Sequence, residues 1–267
     1  MSDNVHLAEL QAVQEWMAQT VVPLLYDDPS GQLDSYGSGA LISSNGNVLF
    51  ATARHNLFLP DQRTPRDRTL LAIPIPDRDA PAKKDIVNIL GTFDVLQPVD
   101  PPGQEIDIAL LHFKDPDFIE RLRRSWNIID RSKAAVASPQ GRFVLSGYPS
   151  ERIRVTLEGL GGSLNTIHTE RMPQAPQAAT QPVHPDYDLF FHYDDDATNL
   201  EGNAIKTPAV PGMSGSVVWE LHNISDGIWA PDKALTMVAI QVSWMKGNFA
   251  RAKSWAYVEN ILNQSGL

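Results

Sequence analysis

The sequence YGSGALISSNGNVLFATARHNL, residues 36–57, decides the fold. Its two apolar runs, Tyr36–Ile42 and Val48–Ala53, enclose Ser-Ser-Asn-Gly-Asn, and an Asn-Gly pair between such runs is typical of a β-hairpin. Similar short runs follow, most of them bounded by Gly, Pro, Asn or Asp, at residues 69–75, 85–95, 107–113, 143–148, 152–160, 189–193, 216–220 and 235–242. They show no βαβ alternation, so the sequence predicts an all-β fold.

Helical spacing of apolar residues occurs near both ends of the chain. Over residues 4–22 an amphipathic helix that Pro23 ends is predicted by Val5, Leu10, Val13, Trp16 and Met17. Over residues 251–264 a last helix is predicted by Ala252, Trp255, Val258 and Leu262. Residues 170–186 hold four prolines and three glutamines with few large apolar side chains, which predicts a mobile loop.

Composition excludes several kinds of chemistry. The chain has 267 residues, a formal net charge of -10 and no cysteine, which excludes disulfides, iron–sulfur clusters, thiolate zinc sites and a cysteine nucleophile. Residues 1–53 carry no lysine or arginine, and no run of about 18 apolar residues occurs, so we expect neither a targeting leader nor a membrane helix. No segment forms a basic platform for nucleic acid. We therefore expect a cytoplasmic protein without membrane or nucleic-acid partners.

The acidic run Asp194–Asp196 does not match the pattern of a calcium-binding loop. Counted from Asp194, the sixth and twelfth positions hold Asn199 and Ile205, where such a loop needs glycine and glutamate. We expect no metal site and no cofactor.

Three local patterns together supply the side chains that nucleophilic catalysis needs. The first is Ala-Thr-Ala-Arg-His at residues 51–55, the second Ile-Asp-Ile-Ala-Leu-Leu at residues 106–111, and the third Pro-Gly-Met-Ser-Gly-Ser at residues 211–216. Acyl transfer at neutral pH needs a hydroxyl, a base with a pKa near 7 and an acid that orients the base, and Ser214, His55 and Asp107 supply these groups. Glycines around the serine let backbone N–H groups converge on an oxyanion.

These motifs resemble those of the chymotrypsin-like (trypsin-like) serine peptidases, across roughly residues 33–264. The family's Thr-Ala-x-His, Asp-Ile-Ala-Leu-Leu and Gly-x-Ser-Gly-Gly/Ser segments match residues 52–55, 107–111 and 212–216. The chain order His, Asp, Ser is that of the family and differs from the orders on unrelated folds.

The resemblance implies two packed six-stranded antiparallel β-barrels with an N-terminal and a C-terminal helix. The implied domains are residues 1–32 as helix and lead-in, 33–130 as the first barrel, 131–250 as the second with a mobile insertion near 166–188, and 251–267 as the C-terminal helix. His55 and Asp107 would come from the first barrel and Ser214 from the second.

The resemblance also implies a serine endopeptidase that acts on a peptide or protein. His55 would be the general base, Asp107 would hold its tautomer, and the N–H groups of Gly212 and Ser214 would form the oxyanion hole. In the Val-Ser-Trp segment at residues 242–244, Ser243 would support Asp107. Trp244 would lie at the edge where substrate binds by strand addition.

Three positions depart from the family pattern. Met213 stands where secreted members have an aspartate that pairs with a new N-terminal amine, so activation by zymogen cleavage is not expected. Met245 replaces the glycine of Ser-Trp-Gly and narrows the cleft, and Pro208 stands where enzymes that cleave after Lys or Arg have aspartate. With the missing cysteines, these departures imply a bacterial-type cytoplasmic member without disulfides, similar to trypsin-like modules of stress and antiphage defence.

Two other functions stay open at this point. The same cleft could hold an extended peptide without cleaving it, which would make the protein a binding module. An α/β-hydrolase esterase would need a glycine at the position of Ser216 and a later histidine, and His222 is the only histidine after Ser214. In the endopeptidase interpretation, we expect a regulatory protein partner that binds through the N-terminal helix.

Overall fold

A computed structural model describes residues 2–27, 33–59, 71–76, 84–89, 92–96, 106–156, 159–199, 202–207, 211–222 and 229–267. The helices are α1 Ser2–Ala18, α2 Pro116–Ser125, α3 Pro231–Ala234 and α4 Trp255–Gln264. The strands of the N-terminal half are β1 Val21–Asp27, β2 Leu33–Ser44, β3 Asn47–Thr52, β4 Leu71–Pro76, β5 Lys84–Asn88, β6 Phe93–Leu96, β7 Ala109–Phe113 and β8 Ile129–Asp130. Those of the C-terminal half are β9 Arg142–Gly147, β10 Ile153–Thr156, β11 Gly159–Gly162, β12 Asn165–Thr169, β13 Asp188–Tyr193, β14 Asp196–Thr198, β15 Ala204–Lys206, β16 Val217–Leu221, β17 Leu235–Met245 and β18 Asn248–Ser254.

Two antiparallel sheets form the body of the protein. The first has the order β5-β4-β1-β2-β3-β7-β6, and the short β8 lies parallel to β2. The second has the order β12-β9-β16-β17-β18-β13, and β10–β11 and β14–β15 are separate hairpins. The predicted all-β class with two antiparallel sheets and terminal helices is confirmed. The first sheet has seven antiparallel strands in its path rather than six.

The ends of both terminal helices differ from the prediction. Helix α1 ends at Ala18, and Val21–Asp27 forms β1 in the middle of the first sheet, although the prediction placed it in a lead-in to residue 32. The C-terminal helix begins at Trp255, because residues 251–254 complete β18. Residues 165–169, which the predicted insertion mostly included, form β12 of the second sheet.

The three largest apolar clusters among the described residues lie in different parts of the fold. One core lies within the first sheet and includes Phe50 and Phe113, and another lies within the second and includes Phe143 and Phe191. The third lies between the sheets and takes in α1, α4 and Trp219. Because both faces of the central strands are buried, their sequences are nearly continuous apolar runs rather than strict alternations.

Helix α1 is packed onto this body through its apolar face. Val13 and Met17 are buried, and the ring of Trp16 meets Trp219 edge to face with centroids 5.2 Å apart. No helix within the described ranges combines the length and the apolar character that crossing a membrane requires.

We predict that Met17→Ala lowers the free energy of unfolding by about 2–5 kcal/mol, because it removes a fully buried side chain between α1 and the sheets. Chemical denaturation of the full chain measures this change. Glu15→Ala on the exposed face of α1 is the control and should stay within about 0.5 kcal/mol of the wild type. Equal stability of the two variants would show that α1 does not pack as described.

Candidate active site

The pairing of β3 with β7 brings His55 and Asp107 together. Thr52 at the end of β3 lies opposite Ala109 at the start of β7, so the residues just beyond these ends are neighbours. Asp107 Oδ2 lies 2.7 Å from His55 Nδ1, and Asp107 Oδ1 accepts a hydrogen bond of 2.8 Å from the His55 backbone N–H. Both carboxylate oxygens therefore hold the histidine, and both side chains remain partly exposed.

The turn that carries Ser214 depends on two glycines with left-handed backbone conformations. Gly212 has φ of +88° and Gly215 has φ of +93°, a region that side chains with a Cβ rarely adopt. A Cβ on Gly212 would lie 2.6 Å from the backbone nitrogen of Ser150, and one on Gly215 would lie 1.8 Å from the Ser38 carbonyl oxygen. Glycine at positions 212 and 215 is therefore required by conformation and by space.

Hydrogen bonds from the first sheet fix the backbone of Ser214 beside the histidine. The Ser214 carbonyl oxygen accepts from the Ser38 backbone N–H at 2.8 Å and from Asn56 Nδ2 at 2.9 Å. Asn56 directly follows His55, and both belong to the 3-10 turn Arg54–Asn56. The structure thus brings the three sequence-predicted segments to one place between the sheets.

The predicted oxyanion donors lie in this turn. Within the described residues, the backbone N–H groups of Gly212 and Ser214 donate no recorded hydrogen bond. The Gly212 carbonyl oxygen accepts from Ser38 Oγ at 2.9 Å, which fixes the peptide plane after Gly212. Their service as an oxyanion hole stays a prediction.

The predicted substrate edge lies on β17. Its pairing with β16 reaches Ile240, and beyond this point residues 243–245 pair only with β18 among the described strands. The ring of Trp244 meets Tyr193 edge to face with centroids 6.0 Å apart. Ser243 is exposed, and the recorded hydrogen bonds of the Asp107 carboxylate both go to His55, so support of Asp107 by Ser243 stays a prediction. Pro208 lies outside the described residues.

The two methionines that depart from the family pattern have different surroundings. Met213 is buried in the apolar core of the second sheet. An apolar side chain at this position offers no charge to pair with an N-terminal amine. Met245 is exposed at the end of β17, next to the predicted substrate edge.

The sequence analysis missed a buried charge cluster beside the site. Asp188 on β13 binds Arg251 and Lys253 on β18, and all three are buried. Burial alone would raise the pKa of Asp188, but hydrogen bonds from Arg251 and Lys253 outweigh it and hold this pKa below its ordinary value. Burial lowers the pKa of Lys253, while the charges of Asp188 and Asp107 oppose that change. The cluster forms because Asp188 pairs with Lys253 across two strands that are far apart in sequence. No local sequence motif therefore predicts it.

The same cluster anchors the connection between β12 and β13. Arg251 donates through Nη1 to the carbonyl oxygen of Thr180 at 2.8 Å and through Nη2 to that of Pro182. Ala179 in this connection is buried. The residues predicted to form a mobile loop are thus attached to β18; their mobility stays a prediction.

Across the part of the chain that the structure describes, no group of three or more histidine, aspartate or glutamate side chains is arranged to hold a metal ion.

Comparisons with known proteins agree with this architecture. The chain is similar in structure to the thermostable serine protease AL20 from an extremophilic microorganism, with a TM-score of 0.54 and 11% identity over 92% of this chain and 96% of that one. It is also similar to the protease Anisep from Arthrobacter nicotinovorans, with a TM-score of 0.53 and 13% identity over 92% of this chain and 94% of that one. No protein-family model and no curated protein matches the sequence. The fold is therefore that of the chymotrypsin-like serine proteases, and at such low identity the likeness shows the fold alone.

We predict that Gly215→Ala destabilises the protein by more than about 1–2 kcal/mol, the cost of the left-handed conformation, because its Cβ also meets the Ser38 carbonyl oxygen. Thermal unfolding measures the effect. Gly161→Ala on β11 is the matched control, since its Cβ would meet nothing closer than 3.8 Å. A Gly215→Ala protein as stable as this control would contradict the described turn.

We predict that Asp188→Asn lowers the free energy of unfolding at neutral pH by about 3–5 kcal/mol, because it leaves two buried cations without their carboxylate. Since the folded pKa of Asp188 is depressed, its stabilisation is complete above the ordinary pKa of about 3.9 and is lost as the pH falls through the folded value. The wild type should therefore lose stability below about pH 4, and the variant should lose less over that range. Unfolding measured against pH tests both points.

Asp196→Asn is the control for this experiment. Asp196 pairs with Lys206 at an exposed position, where an ion pair is worth at most about 1 kcal/mol. If both substitutions have the same small effect, the buried cluster does not stabilise the fold.

Proposed function

We propose that the protein is a serine endopeptidase that hydrolyses peptide bonds through Ser214, His55 and Asp107. The observation that carries this proposal is the convergence of the paired His55 and Asp107 with the backbone of Ser214, through Asn56 and Ser38. The chymotrypsin-like fold supports it, because this fold presents such groups between its two sheets.

In the acylation step, Ser214 Oγ attacks the carbonyl carbon of the scissile peptide bond. His55 Nε2 takes the hydroxyl proton, and Asp107 stabilises the imidazolium while it holds Nδ1. The carbonyl electrons move to an oxyanion that the N–H groups of Gly212 and Ser214 stabilise. The oxyanion then collapses, the C–N bond breaks, and the amine leaves with the proton from His55.

In the deacylation step, water replaces the amine. His55 Nε2 takes a proton from the water as its oxygen attacks the ester carbonyl carbon. The second tetrahedral intermediate expels Ser214 Oγ, which regains its proton from His55. The net reaction consumes one water and releases an amine and a carboxylic acid, so no cofactor is needed.

The substrate is a peptide or protein segment in an extended conformation. It pairs with the β17 edge at residues 243–245, where the described strands leave that side without a partner. Main-chain hydrogen bonds then supply affinity, and the side chains near Trp244 and Met245 select among sequences.

Regulation by a protein partner forms part of this proposal. The apolar face of α1 packs on the body of the protein, while Gln11 and Glu15 lie on its exposed side. A partner that docks on α1 would therefore contact a polar and acidic surface.

We predict that a fluorophosphonate probe labels the wild type at Ser214. Ser214→Ala should abolish labelling, and His55→Ala should slow it at least about a thousandfold, because the hydroxyl loses its base. Ser265→Ala, an exposed serine beyond α4, is the control and should be labelled at the wild-type rate. Labelling that persists in Ser214→Ala, or none in the wild type at any pH tested, would contradict the proposal.

Mapping of new protein N-termini separates cleavage from binding. A protease generates N-termini with the wild type that are missing with Ser214→Ala. If both proteins instead retain the same peptides and neither generates new N-termini, the cleft is a peptide-binding module.

A further inference from the structure

Asn56 is the side chain that joins the histidine segment to the serine turn. It is fully buried, and its Nδ2 donates to Thr52 Oγ1 at 3.0 Å and to the Ser214 carbonyl oxygen at 2.9 Å. An amide nitrogen has two N–H groups, so its donor capacity is fully used. One bond goes to the first sheet and the other crosses to the second.

The Asn56 amide occupies the space that a side chain at position 37 of β2 would fill. A Cβ added to Gly37 would lie 2.3 Å from Asn56 Nδ2 and 2.8 Å from its Cγ, and the nearest atoms it would meet all belong to the Asn56 side chain. The lack of a side chain at Gly37 therefore leaves room for the Asn56 amide. A side chain here would therefore displace the Asn56 amide first.

The amide oxygen of Asn56 helps to explain why this position is an asparagine. Asn56 Oδ1 is buried and accepts no hydrogen bond from the described residues. A buried acceptor without a partner costs about 1–3 kcal/mol, and an apolar side chain of similar size would avoid that cost. The two hydrogen bonds that Nδ2 donates are therefore the physical reason for an asparagine at this position.

We infer that Asn56 is a positioning residue of the proposed active site, which sets the separation between the Ser214 turn and His55. The inference rests on the proposed function and goes beyond it, because no step of the reaction uses Asn56. His55 and Asn56 share one short 3-10 turn. A hydrogen bond from Asn56 to the Ser214 carbonyl oxygen therefore fixes the position of His55 relative to Ser214. A displacement of about 1 Å at such a site can slow a reaction a hundredfold.

The test follows fluorophosphonate inactivation of the full chain and separates the limiting rate constant, kinact, from the half-saturating probe concentration, KI. Asn56→Ala removes the donor, and Gly37→Ala displaces the amide while keeping it. We expect each variant to lower kinact about tenfold to a hundredfold, with KI, the final labelled fraction and the pH midpoint of kinact unchanged. The midpoint should hold because the Asp107 carboxylate keeps both bonds to His55.

A double-mutant cycle sharpens the test. The three atoms closest to a Cβ on Gly37 all belong to Asn56, so we expect Gly37→Ala to act through the Asn56 amide and to cause little further loss of kinact when it is added to Asn56→Ala. Thr169→Ala is the matched control, because Thr169 is also buried and donates a side-chain hydrogen bond, but it pairs with Phe143, at the end of β9 far from the Ser214 turn. It should keep the kinact of the wild type even where its stability falls.

Each outcome decides between positioning and a merely structural role. Wild-type kinact in both variants, additive losses in the double variant, an equal loss in Thr169→Ala, or a reduced labelled fraction at an unchanged rate would overturn the inference. If Asn56→Ala does not fold, Gly37→Ala decides alone, because it retains every polar group. A wild type that is not labelled overturns the proposed function and this inference with it, whereas normal wild-type labelling with unaffected variants overturns the inference only.

Discussion

The turn that carries Ser214 depends on the buried serine Ser38, where the two sheets meet. Its N–H donates to the Ser214 carbonyl oxygen, its Oγ donates to the Gly212 carbonyl oxygen, and its Oγ accepts from the Tyr148 N–H. Its own carbonyl oxygen accepts from Thr52 Oγ1. One residue of β2 thus binds two segments of the second half of the chain and the end of β3. This junction attaches the Ser214 turn to β2 and to the end of β3, next to the segment that carries His55.

A chain without cysteine has to hold such a junction by non-covalent bonds. Between the sheets this is achieved by the hydrogen bonds of Ser38 and Asn56, while Asp188 with its two cations joins β13 to β18 within the second sheet. Buried polar contacts of this kind add little net stability, since their gain is offset by desolvation, but each is costly to break. The bonds of Ser38 and Asn56 therefore select one arrangement of the two sheets, while the apolar clusters supply most of the free energy of folding.

The catalytic candidates could be predicted from the sequence because each lies in a short motif whose residue types are those that acyl transfer needs. Elements whose identity depends on distant partners could not be found in this way. The run Val-Val-Pro-Leu-Leu at residues 21–25 continues a helical pattern and shows no alternation, and only its pairing with β2 and β4 makes it a strand. Lys253 and Asp188 meet through strand register alone. Asn56 resembles any other polar residue after a histidine until the fold sets it against Ser214.

Met213 shows how the conformation of the turn is maintained. Its side chain fills the core of the second sheet, its carbonyl oxygen accepts from the Ser216 backbone N–H at 2.7 Å, and Ser216 Oγ donates to the same oxygen. Together with the bonds from Ser38 and Asn56, these contacts define the turn between Gly212 and Gly215 by packing and hydrogen bonding. Among the contacts recorded for the described residues, none of those that shape the turn is an ion pair. Because apolar packing and hydrogen bonds between neutral groups do not titrate, these contacts hold the turn without depending on the ionisation of a side chain.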